Sequence, residues 1–253
     1  MALGRDAPRF QLWRVLHRML QFFIRNAVTF FILALITGVP AAIFRFEEAN
    51  SDVPWTAGGP SLVPLILFAV SSYLLCAAIT KGTLVDLSGR QPTPRECLAE
   101  VWADFLPLLA IGAVTGFLSL TGYMFLFLPG LLVDTFLSLV IPIRTIERAP
   151  LSQVFLLSIK RTRGYRWPIF GLNVGATVFY FVAVMVVNVT TGAPLLDGVL
   201  DEASGGGTGR IWGTVVADAL LGIIGSLLYV SVYYELRLIN AGREPEGLAS
   251  VFD

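Results

Sequence analysis

The sequence predicts an all-α, polytopic integral membrane protein with six transmembrane helices and amphipathic elbow helices on its inner surface. Three observations carry that prediction. Hydrophobic residues make up 55% of the 253 and charged residues only 14%, with a mean hydropathy of +0.74, far from the balance of a water-soluble domain. Six apolar runs have the length to cross a hydrocarbon core at about 1.5 Å per residue. Lys and Arg fall almost entirely in alternate connectors between those runs. The formal net charge is zero, so no long-range field points to nucleic acid, and the meaning of the charges lies in where they sit.

Residues 1–26 form the N-terminal amphipathic segment. Gln11, Arg14, Arg18, Gln21 and Arg25 recur at three- and four-residue steps opposite Phe10, Trp13, Leu16, Leu20, Phe23 and Ile24, the pattern of a helix lying in a membrane surface. The first crossing, 27–44, carries Pro40 near its far end, where a kink is tolerated. Acids, Pro and Gly with Trp55 make 45–61 a loop. The second crossing, 62–80, ends at Lys81, and a polar connector, 81–93, leads to Pro94. Glu96, Glu100 and Asp104 then recur every four residues opposite Leu98, Val101, Trp102 and Phe105, a second amphipathic elbow.

The third crossing spans 105–125. Leu128-Pro129-Gly130 predicts a tight helix break at an outer turn, and a short fourth crossing spans 128–143. After Arg144 a third elbow starts at Pro150 and ends in Lys160, Arg161, Arg163 and Arg166. The fifth crossing is 167–189, a Gly- and acid-rich loop covers 190–210, the sixth crossing is 211–233, and 238–253 is a polar tail. All of this belongs to a single membrane domain, 1–253. The long basic segment ahead of the first crossing does not resemble the short n-region of a cleaved signal peptide.

Placing both termini, the 81–104 connector and the 144–166 elbow on one side gives that side 16 of the 18 Lys and Arg, leaving Arg45 and Arg210 opposite. The positive-inside rule then predicts cytoplasmic N- and C-termini. Each pair of crossings follows a Pro and an amphipathic helix, at Pro8, Pro94 and Pro150, which is the pattern of three parallel helical-hairpin repeats. The simpler reading is a set of helical hairpins that share only the side on which their elbows lie. Gly112 and Gly116, and Gly171 and Gly175, form G-x-x-x-G pairs suited to close helix packing, within the chain or in a homodimer.

Two groups of residues are candidates for function. Asp134 and Asp218 are acids inside crossings, where a carboxylate is costly unless paired, protonated or wet. Brought together, they would share a proton or bind a cation, whereas apart each would face an outer vestibule and bond neighbours such as Thr135, Ser138 or Thr214. Arg14, Arg18, Arg25, Lys160, Arg161, Arg163 and Arg166 would make a basic inner surface for anionic lipid head groups, at roughly 1 kcal/mol per residue. The same residues are also the ones that topology requires. Glu235 with Tyr233, Tyr234 and Arg237 reads as an inner interface anchor.

Catalytic chemistry has little to draw on. His17, the single histidine, stands beside Arg18 with no partner for acid or base work, and Cys76 and Cys97 are too few for a disulfide framework or a metal cage. No phosphate loop, metal-ligand pair or nucleophile elbow is present, so the sequence implies no catalytic residue, metal or cofactor.

Pro129-Gly130, Ile141-Pro142, Glu147, Ser158, Gly164, Trp167 and the closing Tyr233-Tyr234-Glu235-Leu236-Arg237 together resemble the bacterial six-helix membrane domain that in some proteins is fused to glycerophosphodiester phosphodiesterases. The similarity is clearest from about 120 to 180. It implies a helical membrane domain with surface elbows in a bacterial inner membrane. It does not imply the phosphodiesterase reaction, because the catalytic barrel of those fusions has no counterpart in this chain. The expected role is non-enzymatic, a lipid-interacting component or accessory subunit of a larger membrane assembly, with anionic membrane lipids and a membrane protein or second copy as partners and no nucleic acid. The rival expectation is a small transporter or channel using Asp134 and Asp218.

Overall fold

Every regular element among the described residues is an α-helix; the computed structural model describes residues 10–49, 63–125, 127–190 and 208–241. Most of the loops expected at 45–61 and 190–210, and most of the 238–253 tail, lie outside those residues, as does Pro8. Six helical spans, Leu12–Ile43, Ala69–Leu87, Phe105–Phe125, Leu128–Glu147, Arg166–Val186 and Val215–Asn240, are long and apolar enough to cross a membrane. By length and composition the chain is a multi-pass integral membrane protein.

Helix α1, Leu12–Ala49, joins the amphipathic segment to the first span, with non-helical backbone at Asn26 (φ −124°, ψ 19°). The Asn26 amide donates to the Phe22 carbonyl at 3.3 Å, a local side-chain bond that competes with the helical ladder and marks the bend. Ahead of the bend Val15 and Phe22 are buried in the protein, while Trp13, Leu16, Leu20 and Ile24 stay exposed. The segment thus has two apolar faces, one docked on the bundle and one turned outward.

Helix α2, Val63–Leu87, runs seven residues beyond Thr80, through what the sequence reads as connector. Lys81 and Asp86 take ion-pair partners there, with Glu100 and Arg25, so the polar residues do not need a loop to reach water. A turn with Gly89 at φ +81° then leads to α3, Pro94–Ala103. Thr93 caps α3 by accepting from the Glu96 amide at 3.4 Å, and Pro94 occupies the first turn, where its missing donor costs nothing. Helix α4 follows, Phe105–Phe125.

Pro129 and Gly130 do not separate two helices, as the sequence suggests, but lie in the first turn of α5, Phe127–Leu137. A proline there forfeits no helical hydrogen bond, so the chain turns before it. Gly130 matters for contact: a Cβ on Gly130 would overlap the Tyr123 ring, and one on Gly122 would sit 2.9 Å from the Gly130 Cα. Two glycines let α4 and α5 close into a tight hairpin. The helix then breaks at Ser138 and Leu139 before α6, Val140–Glu147. The carbonyls released at the break are met by hydroxyls, Ser138 donating to Thr135 at 3.0 Å and Ser158 to Phe136 at 2.6 Å.

Ser158 comes from α7, Leu151–Thr162, whose buried stripe is Val154, Ser158 and Thr162. Gly164, at φ +94°, turns the chain into α8, Arg166–Thr190, and the long α9, Thr208–Ala241, completes the described bundle. Helices α1, α2 and α9 pack on one another at the centre, α6 and α4 lie against α2, α8 lies against α9, and α5 packs between α4 and α8. Of the span windows, those in Ala69–Leu87 and Leu128–Glu147 are 61% buried, those in Phe105–Phe125 and Arg166–Val186 only 22% and 11%. The apolar exterior of α4 and α8 is the surface that a bilayer would cover. Of the G-x-x-x-G pairs, only Gly112 makes a close approach, to the Tyr73 ring; Gly116, Gly171 and Gly175 have open space where a Cβ would stand.

Candidate functional site

One end of the bundle gathers charge. The start of α1, the end of α2, α3, the end of α6, α7 and the end of α9 meet there, joined by ion pairs between segments far apart in sequence. Glu235, fully buried, accepts from Arg14 at 3.3 Å and from Arg18 at 3.4 Å. Arg25 pairs with buried Asp86 at 3.2 Å, Lys81 and Arg148 both reach Glu100, at 3.2 and 3.0 Å, and Arg144 donates to Asp104 at 2.8 Å. Arg161 grips Glu147 through both terminal guanidinium nitrogens, and Tyr233 donates to the same carboxylate at 2.5 Å. Partial burial opposes the charge of Arg161, but the hydrogen bonds and negative charge of Glu147 outweigh it and hold the guanidinium above its ordinary value.

This geometry divides the seven basic residues marked out by the sequence. Arg14, Arg18, Arg25 and Arg161 each neutralise a carboxylate of the chain itself. Arg166 lies 4.7 Å from the centre of the Phe136 ring, in cation–π range, with its Nε buried and without a hydrogen-bond partner. Lys160 and Arg163 are exposed, with no ion pair among the described residues, on either side of the α7 end. Trp167, two residues past Tyr165, is 80% exposed, and Tyr165 itself stacks at 5.8 Å on Phe10 from the N-terminal segment.

The two acids within apolar spans have different surroundings. Asp134 of α5 accepts from two hydroxyls of α4, Ser119 on one oxygen and Tyr123, at 2.5 Å, on the other. Asp218 of α9 lines a cavity between α1, α2 and α9 with Thr37, Ser71 and Ser72; Asp134 is not part of that lining. Of the neighbours expected to serve the aspartates, the Thr135 hydroxyl donates to the Leu131 carbonyl within α5 and accepts from Asn173 of α8 at 3.1 Å, and Ser138 donates to the Thr135 carbonyl at the α5–α6 break. His17 sits 3.0 Å from Gln21 on the exposed side of α1. Cys97 is buried under α2, and burial, reinforced by Glu96, pushes its thiol up to about 11, which removes it as a nucleophile at neutral pH.

No family model, curated protein or solved structure matches the chain. The resemblance to the phosphodiesterase-linked membrane domain therefore rests on its motif residues. Several of those residues do converge: Glu147 and Tyr233 share a hydrogen bond, Glu235 lies in the same helix end, and Ser158 closes the α5 break nearby.

Sequence reasoning missed the acids of the charged end as partners. A signal for them exists, since 18 acids balance 18 bases while most of the bases gather in a few segments. Which acid meets which base is a matter of tertiary folding, with Glu235 and Arg14 separated by 221 positions.

Proposed function

We propose that this chain is a non-enzymatic, lipid-interacting component of a bacterial inner membrane, serving as an accessory subunit of a larger assembly, with its charged end on the cytoplasmic side. The observation that carries the reading is the corner formed by Lys160, Arg163 and Trp167. There two exposed cations, unpaired among the described residues, lie within seven positions of an exposed indole at the start of α8, the least buried span. Cations above an interfacial Trp, next to an apolar helix face, are what an anionic phospholipid meets with head group and chains together. Arg14, Arg18, Arg25 and Arg161 are each paired with a carboxylate of the chain, which leaves less of their charge for a head group. The family resemblance and the one-sided distribution of Lys and Arg support the inner-membrane location and the orientation.

Native mass spectrometry of the detergent-solubilised chain tests this. Phosphatidylglycerol or cardiolipin should be retained in preference to phosphatidylcholine, and Lys160→Ala with Arg163→Ala should weaken that retention by about 2 kcal/mol, roughly thirtyfold. Equal retention of phosphatidylcholine, or a double variant that binds as the parent does, would sink the proposal. Protease protection placing α7 on the outer side would remove the orientation.

A further inference from the structure

Each carboxylate that the structure describes at the charged end, Asp86, Glu96, Glu100, Asp104, Glu147 and Glu235, already holds a guanidinium or an ammonium group. Three cations around one turn take no part in that pairing. Lys160 and Arg163 at the end of α7 and Arg166 at the start of α8 have no ion pair among the described residues. Resting on the lipid reading of this corner, we propose that the three form a site for a phospholipid with two phosphates in its head group, the cardiolipin class, and that Arg166 anchors one of those phosphates.

The three cations differ in how firmly they are held. Arg166 is partly buried, with its guanidinium 4.7 Å from the centre of the Phe136 ring and its Nε buried without a hydrogen-bond partner, so the terminal nitrogens are the donors left for a ligand. Phe136 is held in turn, since its carbonyl accepts from Ser158 of α7 at 2.6 Å, which ties the ring to the helix that carries Lys160. A guanidinium stacked in this way offers phosphate oxygens a planar fork with little rotamer freedom left to lose. Its charge is partly withdrawn from water, so a phosphate gains more there than at a fully solvated cation. Lys160 and Arg163 are exposed and keep the freedom to reach a second phosphate. The Tyr165 amide donates to the Thr162 carbonyl at 3.0 Å and Gly164 takes φ +94°, a tight turn that keeps the three backbone positions close together. A phosphodiester carries one negative charge, so a single phosphate would leave two of the three cations unanswered, and a second answers one more. The α8 span, with a window only 11% buried, offers the acyl chains an apolar face next to the head group.

Native mass spectrometry of the whole chain in detergent, with tetraoleoyl cardiolipin and dioleoyl phosphatidylglycerol in competition, is the test. Cardiolipin should be retained over phosphatidylglycerol by about fivefold, the effect of one further contact between a cation and a phosphate. Arg166→Lys keeps the charge but loses the fork, and Phe136→Leu removes the ring beneath it. Each should bring the ratio down to about two, the value set by the number of phosphates alone, while phosphatidylglycerol is still retained over phosphatidylcholine. A ratio of about two in the parent chain overturns the proposal, as does a parent-like ratio in Arg166→Lys. If Arg166→Lys fails to fold, Phe136→Leu decides. Neither of those results touches the preference for phosphatidylglycerol over phosphatidylcholine on which the lipid reading depends, so the two ideas fail separately. Inorganic pyrophosphate at the concentration of the lipid should not displace cardiolipin; if it does, the site takes a soluble diphosphate and the lipid assignment is overturned.

Discussion

Glu235 and Asp134 are both carboxylates within helical spans, yet they are held by opposite chemistry. Glu235 is met by two guanidinium groups from the far end of the chain, at separations of 221 and 217 residues. Asp134 is met by two neutral hydroxyls from the adjacent helix, at separations of 15 and 11. Charge fastens the contacts that close the topology, bringing the N-terminal segment onto the last helix. Hydroxyls serve the local hairpin, where the glycine contact between α4 and α5 already supplies proximity. The charged end therefore behaves as a clamp whose parts depend on one another, while the Asp134 site is a local arrangement that tolerates change.

The largest effect tests the clamp. Replacing Arg14 and Arg18 together by Ala leaves Glu235 buried without a cation, and should cost about 4 kcal/mol, read as a drop of roughly 10 °C in the thermal midpoint in detergent. Gly122→Ala comes next. Its methyl meets the Gly130 backbone, which cannot swing aside as a side chain can, so a loss of about 2 kcal/mol is expected, with α4 and α5 forced apart. Asp134→Asn should cost only about 1 kcal/mol, because the amide oxygen still accepts one of the two hydroxyl bonds. If it costs as much as the double arginine change, the contrast between the two carboxylates fails.

Arg90→Ala marks the lower limit. Its pair with Glu96, at 3.0 Å, is largely exposed, and its removal should move stability by less than about 0.5 kcal/mol in the same melting assay. A larger loss would mean that even the outer charges belong to the clamp.

Much of the architecture was legible in one dimension because it follows from local rules. Apolar runs locate the spans, Pro94 announces the second elbow, and the change from amphipathic to apolar sequence after residue 26 coincides with the bend at Asn26. Pro129-Gly130 was read as a break and proves to be a first turn plus a close contact, since a proline signal does not say on which side of it the helix stops. The α5–α6 break at Ser138 lies one turn ahead of Pro142, which has no N–H to offer the Ser138 carbonyl, and the Phe136 carbonyl is met by Ser158 arriving from another helix.

By itself, the sequence determined that this is an all-helical chain with six spans of membrane-crossing length and its basic residues gathered in a few segments. Only the tertiary structure decided what the charges are for. Hydropathy and helix propensity depend on near neighbours along the chain, whereas an ion pair or a cavity depends on which helices come together. Arg14, Arg18, Arg25 and Arg161 looked equivalent to Lys160 and Arg163 in the sequence, and the fold separates them by placing a carboxylate beside the first four. In the same way the sequence left Asp134 and Asp218 either together or apart, and packing gives one a set of hydroxyl donors on α4 and the other a place on a cavity wall.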